Sequence, residues 1–364
     1  MKIAIINLYS KNISFGYLKY LERVIPIINK KNAYTTLYFD ANTNSKTISV
    51  LSKINPSIIS YKNTSQLKKM INSNNTDIVF IPNGSFINFG KLPVIVMLQN
   101  MEPFCDFMIK NSFMIRLRNF LNRVKFTLAA HKSDKIIAVS EHVKDIVKNK
   151  ILLDPRKISV IYHGTDIQKI NYIYKRNRQS TILTVGSIRA ARGLEDIIKA
   201  LSIIKKYHSN TRLIVAGSND KSTKKYFNYL KKLAKNNNVE DIITWKGFIN
   251  TEELNELYQN SDVYVMSSKT EACPNTALEA MANKCRIIST TNGPMPELFK
   301  DCSLYYKAGD WNELSMKILQ VFSESDSKYY TSKNLAYKRS LDFNWEKCAT
   351  NTYDEFKRLL EYNN

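Results

Sequence analysis

The chain has 364 residues, 44% apolar and 24% charged, and its 54 Lys+Arg against 32 Asp+Glu give a formal charge of +22. That balance excludes wholesale disorder, and the length suits two domains that each bury a core. Five cysteines, at 105, 273, 285, 302 and 348, are odd in number and too scattered for a metal knuckle, which argues against a disulfide framework or zinc site and for a reducing compartment.

In chain order, the first half predicts strands near Ile3–Asn7, Thr35–Phe39, Ile78–Ile81, Val94–Leu98, Lys135–Val139 and Lys157–Ile161. Ile3–Leu8 is too short for the apolar core of a signal peptide. The apolar stretch Leu92–Ile109 is interrupted by Gln99, Asn100, Glu102, Pro103 and Asp106, so it does not predict a membrane span. The expected protein is soluble or peripheral.

Through Asp166 there are 24 basic and 10 acidic residues, hence +14; the remaining 30 basic and 22 acidic residues give +8. The densest block runs over 107–133, with Lys110, Arg116, Arg118, Arg123, Lys125 and Lys132 and no acid. Within it Met114, Leu117, Leu121, Val124 and Leu128 recur at helical spacing, and Phe113, Phe120 and Phe126 add bulk beside them. Two readings stand open: an interfacial helix on an anionic membrane, or a helix packed inward with a solvated basic side. Nucleic acid is disfavoured, because these aromatics sit at core spacing and no zinc-finger, RRM or KH signature occurs.

The polar stretch Asp166–Gln179 reads as a linker. Beyond it strands at Thr181–Val185, Arg212–Ala216, Ile242–Trp245, Val263–Met266 and Arg286–Thr290 alternate with helices at Leu194–Tyr207, Tyr226–Lys235, Glu252–Gln259, Thr276–Asn283 and from Asp310. Such alternation predicts α/β architecture: two Rossmann-like domains with parallel sheets facing a central cleft, ligands lying at strand carboxyl ends. The expected divisions are an N-terminal domain over 1–166, a linker over 167–179 and a C-terminal domain over 180–343. A helix over 344–364 is expected to pack back on the first domain.

The strongest chemical signal is Glu271-Ala-Cys-Pro-Asn-Thr-Ala-Leu-Glu279-Ala-Met-Ala282, lying between a strand and a helix. Asn275 or Thr276 can cap that helix, whose first amides make an anion site. Glu279 can accept a pair of hydrogen bonds from vicinal hydroxyls, as on a ribose, while Glu271 sits on the loop where a ligand would lie. The simpler reading makes Glu279 a partner of the helix dipole and Glu271 a solvated acid; the pairing of the two favours function.

This unit resembles the signature of retaining GT-B glycosyltransferases of family 4, of the bacterial surface-polysaccharide type. Asp134–Ser140, Val160–Asp166, Leu183–Gly186 through Arg192-Gly193, Lys246–Phe248, Leu254–Tyr258, Ser261–Val263 and Gly293–Glu297 fit the same pattern. The likeness is dense in the C-terminal half and thin before residue 130. It implies that Glu279 binds the ribose of a nucleotide diphosphate sugar and that Glu271 lies against the donor sugar. Amides around Asn275, Thr276 and Ala277 would hold sugar or phosphate. Arg192 stands where the family usually has Lys. The family often has Arg after the glycine that is Gly186 here; this chain has Ser187, and Arg189 is the candidate replacement. Fixed cations there stabilise charge building on the leaving diphosphate.

Gly16 matches part of the family's glycine pair, though Tyr17 departs from it, and an ordinary turn glycine is the rival reading. Many members carry a His after the strand that ends here at Leu98; this chain has Gln99-Asn100-Met-Glu-Pro103. Gln99 or Asn100 can hydrogen-bond a sugar but cannot act as a base, which leaves Glu102 as the nearest titratable group. No Asp-x-Asp occurs, so no divalent metal or other cofactor is implied. The resemblance implies transfer of a hexose-type sugar, with retention, to a lipid-linked oligosaccharide in O-antigen or capsule synthesis. It places the enzyme in the cytoplasm, peripheral to the inner face of the membrane. A nucleotide-sugar epimerase on the same fold is the first alternative, and a basic nucleic-acid-binding protein the second.

Overall fold

Short apolar runs separated by amphipathic segments build two parallel sheets, one in each of two compact units. The structure is a computed structural model that describes residues 1–8, 15–55, 57–105, 113–167 and 180–363. The first unit comprises Met1–Phe104, Phe113–Gly164 and Phe343–Asn364; the second includes Thr165–Asp342. The proposed linker lies almost wholly outside the described residues.

In the first unit the strands are β1 (Lys2–Asn7), β2 (Tyr34–Asp40), β3 (Ile58–Tyr61), β4 (Ile78–Ile81), β5 (Val94–Leu98), β6 (Lys135–Ala138) and β7 (Ile158–Val160). They lie in the order β3-β2-β1-β4-β5-β6-β7, and every pairing is parallel. β4 and β5 are buried along their whole length, which is why they read as unbroken apolar runs rather than as alternation. Asp134 fixes the β5–β6 register by accepting from the Val94 amide at 2.7 Å. The helices are α1 (Phe15–Asn29), α2 (Ser45–Ile54), α3 (Thr64–Ser73), α4 (Phe113–Lys132) and α5 (Glu141–Lys150). Asn44, Asn63 and Ser140 cap α2, α3 and α5 by accepting from the amide three residues on.

In the second unit β8 (Ser180–Val185), β9 (Thr211–Ala216), β10 (Ile243–Gly247), β11 (Val263–Met266), β12 (Ile287–Thr290) and β13 (Ser303–Tyr306) lie in the order β10-β9-β8-β11-β12-β13, again all parallel. The helices are α6 (Leu194–Tyr207), α7 (Lys224–Asn236), α8 (Thr251–Asn260), α9 (Asn275–Ala282), α10 (Met295–Phe299), α11 (Trp311–Phe322) and α12 (Asp326–Ser340). Ile182, Ile197, Leu201, Leu213, Val265 and Ile288 lie in its core. Arg286 and Glu324 form a buried two-pronged ion pair at 2.8 and 3.0 Å. The strand order reverses between β8 and β11, so the loops leaving these two strands flank the topological switch point.

The last helix, α13 (Trp345–Asn363), groups with the first unit and packs on α1. Its Phe356 ring lies 5.3 Å from Phe80, and its Trp345 ring lies 6.5 Å from Tyr20 and 6.1 Å from His163.

Most predicted elements occur within a residue or two of their expected bounds, Leu194–Tyr207 and Val263–Met266 among them. β3 and β13 were not expected. Each is four residues long and lies at a sheet edge, where little periodicity accumulates. Two corrections concern faces and caps. The inward-packed reading of α4 fails: Met114, Leu117, Leu121, Val124 and Leu128 are 43–71% exposed, and the buried positions are Asn119, Phe126, Ala129 and Ala130. Bulky Phe126 and two alanines make the close-packed contact instead. Nor do Asn275 or Thr276 cap α9, because its N-cap is Pro274, in extended conformation.

Candidate functional site

A short 3-10 turn, Ala190–Arg192, follows β8 and leads through Gly193 into α6. Two glycines permit its placement. Gly186 has φ +135°, and a Cβ there would come within 2.8 Å of the Arg192 Cζ, so the guanidinium lies directly against the backbone leaving β8. Gly193 has φ +62°, and a Cβ there would meet the Ser267 carbonyl oxygen at 2.3 Å. Hydrogen bonds then join the turn to the loop after β11. Ser267 Oγ donates to the Arg192 carbonyl at 2.7 Å, and the Lys269 amide donates to Ala191 at 2.8 Å. Thr290 and Asn292 hold that loop from the other side, donating to the carbonyls of Ser268 (2.8 Å) and Lys269 (2.9 Å). Lys269 also pairs with Glu195, whose second oxygen accepts from the Tyr226 hydroxyl. Burial, and then the Glu195 charge, raise the Tyr226 pKa, so this phenol stays a donor.

On this scaffold Arg192 Nη1 lies 2.9 Å from Glu271 Oε1, with the two side chains 15% and 8% exposed. The approach is an ion pair without hydrogen-bond alignment. Glu271 Oε1 and Arg192 Nε are both buried and lack a hydrogen-bond partner. Arg192 Nη1 reaches Ser268 Oγ only at 3.5 Å. The pair therefore keeps directional bonding capacity that a ligand can use. Ser187 is exposed on the same loop, and Arg189, half-buried, begins the turn.

Glu279 is half-buried on α9. The fully buried Tyr258 of α8 donates from its hydroxyl toward Glu279 Oε2 at 3.4 Å and to the Thr276 carbonyl at 3.3 Å. Burial, followed by the Glu279 charge, pushes the Tyr258 phenol far up. Its ring meets Tyr264 edge-on at 5.7 Å. Burial raises Tyr264 as well, with Thr276 and Arg192 close enough to oppose that shift. Asn275, Thr276 and Ala277 form the first turn of α9. The second unit thus gathers Gly186, Ser187, Arg189, Arg192, Glu271, Asn275, Thr276, Ala277 and Glu279 around the two loops of its switch point.

The remaining predicted residues belong to the first unit. Gly16 is the second residue of α1. Gln99 Nε2 donates to the Pro82 carbonyl at 3.0 Å, joining the ends of β4 and β5. Asn100 Oδ1 accepts from the Glu102 amide at 3.0 Å, and Glu102 itself is buried, 8% exposed, in a 3-10 turn. Arg116, Arg118, Arg123 and Lys125 are exposed along α4, whereas Lys110 lies outside the described residues. Sequence reasoning missed Tyr258, Glu195, Lys269 and Ser267 as supports. Tyr258 does fall in the Leu254–Tyr258 stretch that carries the family pattern, which was the available signal. Among the described residues, no group of three or more His, Cys, Asp or Glu could hold a metal ion, and no helix is long and apolar enough to cross a membrane.

Two doubly wound units, with a cation–carboxylate pair and a second carboxylate at the switch point of one of them, define a protein of the GT-B fold. Residues 167–338 match the family model of glycosyl transferases group 1, and residues 40–169 match that of glycosyltransferase family 4. These matches place the chain among GT-B glycosyltransferases. It is 28% identical over 251 residues to an uncharacterized glycosyltransferase of Methanocaldococcus jannaschii, covering 64% of this chain and 62% of the relative. It is 26% identical over 210 residues to the O-antigen chain mannosyltransferase RfbU of Salmonella typhimurium, covering 56% and 57%. The aligned stretches span 54–65% of the first relatives' lengths. Among solved structures, Anabaena HepE in complex with UDP superposes with a TM-score of 0.77 at 15% identity, covering 98% of this chain and all of that one.

Proposed function

We propose that this chain is a retaining glycosyltransferase. It moves a hexose-type sugar from a nucleotide diphosphate sugar to a lipid-linked oligosaccharide in bacterial surface-polysaccharide synthesis. The observation that carries the reading is the Arg192–Glu271 pair, with its unused hydrogen-bond capacity, on loops flanking the same switch point as Glu279. Glu279, steadied by Tyr258, accepts from the ribose hydroxyls. Arg192, with Arg189 on the same turn, neutralises charge that builds on the diphosphate as the glycosidic bond breaks. Glu271 orients the donor sugar and keeps the guanidinium in place, and amides from Asn275 to Ala277 hold sugar or phosphate. The HepE complex with UDP supports the donor class, and RfbU supports an O-antigen-type acceptor.

The α4 surface fits the membrane side of this reading. Its apolar stripe faces solvent beside Arg116, Arg118, Arg123 and Lys125, and no acid occurs between Phe113 and Lys132. An enzyme peripheral to the cytoplasmic face of an anionic membrane would present such a helix to its lipid-linked acceptor. The test is a thermal-shift and turnover screen of the purified chain against nucleotide diphosphates and their sugars. Saturable stabilisation by one nucleotide, release of nucleotide diphosphate, and loss of both in Glu279→Ala are expected. Absence of any nucleotide effect overturns the assignment, and a product formed from donor alone identifies an epimerase instead.

A further inference from the structure

The exposed stripe on α4 is not a smooth convex face. Leu121, Val124, Lys125, Leu128, Ala129 and Lys132 lie at i, i+3, i+4, i+7, i+8 and i+11, hence along one side of the helix. With Phe86 they line a groove of about 330 Å³ that is apolar along its length and has lysine at two points. A second hollow, of about 350 Å³, continues past Phe86 and Lys132 to Phe89, Leu92 and Asp134. The groove is cut into a well-anchored surface. Phe126, on the opposite side of α4, is buried and stacks on Phe104 at 6.4 Å. Ala129 and Ala130 bring the helix close to the unit beneath.

Two properties of the groove select its occupant. Its wall is made of hydrocarbon left in contact with water: Leu121, Val124 and Leu128 are 59%, 43% and 52% exposed. Covering them with another apolar group is favourable by the area removed from water. The polar groups at its rim are cationic. Lys125 stays exposed overall while its ammonium is held below the usual lysine range by desolvation, as expected of a charge poised beside apolar surface. The acid in the adjoining hollow, Asp134, is already engaged by the Val94 amide. An extended hydrocarbon chain ending in an anion satisfies both properties, whereas a protein helix would be too wide for so small a volume and a free phosphate would leave the hydrocarbon wall wet.

We propose that the groove between α4 and Phe86 binds one acyl chain of an anionic phospholipid from the bilayer, with Lys125 and Lys132 on its phosphate. α4 then does more than rest on the membrane by charge: it takes up an individual lipid. This deepens the membrane reading of α4, and the experiment separates the two. The full chain is titrated, by thermal shift, with a short-chain phosphatidylglycerol kept below its micellar concentration, with the matching phosphatidylcholine, and with glycerol phosphate as the head alone. Binding to phosphatidylglycerol vesicles is measured in parallel.

Saturable stabilisation by the monomeric anionic lipid is expected, with the zwitterionic lipid weaker and the head alone without effect. Val124→Trp, which fills the groove from an exposed position, should weaken monomer binding by about tenfold or more and leave vesicle binding in place. Lys125→Gln with Lys132→Gln should erase the preference for the anionic lipid. Stabilisation by the head alone, or a Val124→Trp variant that still binds the monomer as wild type does, overturns the proposal. Vesicle binding without monomer binding refutes the groove alone, and monomer binding without vesicle binding refutes the interfacial reading alone.

Discussion

Arg192 and Glu271 stand 2.9 Å apart, charge to charge, yet the carboxylate oxygen and the guanidinium Nε are each buried without a hydrogen bond. A structural ion pair of this burial would normally align its donors and acceptors, because unmade bonds in a low-dielectric site cost about 1–3 kcal/mol each. The misalignment leaves donor and acceptor capacity at this pair that a ligand can use. Arg192→Ala should lower kcat about 10²–10³-fold, the range for removing one fixed donor to a developing oxyanion. It should also lower stability by up to ~3 kcal/mol, because it leaves Glu271 buried without its cation. Arg192→Lys should restore stability and part of the rate. Steady-state kinetics beside thermal melts checks both, and an Arg192→Ala enzyme with full kcat would remove the residue from the mechanism.

Tyr258 acts through Glu279. Its hydroxyl donates toward the carboxylate at 3.4 Å, and its ring is wholly buried. Tyr258→Phe keeps the packing and deletes one hydrogen bond, worth about 1 kcal/mol. Donor KM should rise about fivefold with kcat little changed, a split that simple destabilisation would not produce. Equal loss in kcat and no change in KM would show that the tyrosine does not serve donor binding.

Gly193 joins the cationic turn to the loop after β11. With φ +62° and the Ser267 carbonyl 2.3 Å from any added Cβ, alanine is strained twice over. Gly193→Ala should cost ~2 kcal/mol or more and weaken donor binding, since the loop carrying Glu271 must move away. Chemical denaturation with a donor titration tests this; a variant of wild-type stability would contradict the described contact.

The alkaline limb of the stability curve should involve Cys285 and Cys302. Burial pushes their thiols up to about 12 and about 11. A raised folded-state pKa means that the neutral thiol is favoured in the native protein. The stabilising contribution is complete below the ordinary thiol range near pH ~8.5 and fades as the pH rises through about 11 to 12. Melting temperature against pH should fall through this window, and Cys285→Ala should flatten the fall. An unchanged slope would assign the alkaline transition to other groups, such as the buried phenols of Tyr258 and Tyr306.

Neutralising Arg116, Arg118 and Arg123 together should weaken binding to anionic vesicles while sparing the nucleotide. Each cation near such a surface contributes about 1 kcal/mol, so the triple variant should lose roughly 100-fold in partitioning at low salt. Co-sedimentation across a salt series measures it. Unchanged partitioning would return this block to ordinary surface charge.

Composition and periodicity determined much of the architecture. Alternating apolar strands and amphipathic helices implied parallel sheets covered on both faces, and Asp310 marked a helix start because its short polar side chain reaches the amide three residues on. The Glu271-to-Glu279 spacing likewise located one strand–loop–helix unit from local chemistry alone. Tertiary structure decided what spacing cannot encode. A 3.6-residue period reports that α4 has an apolar side but not which side meets the sheet, and small Ala129 and Ala130 claimed that contact in place of the larger leucines. The neighbours of Arg192 come from β11 and the loop beyond it, and the support of Glu279 comes from α8. Both were set by strand order and crossover packing, which bring together residues whose separation in sequence carries no trace of their distance in space.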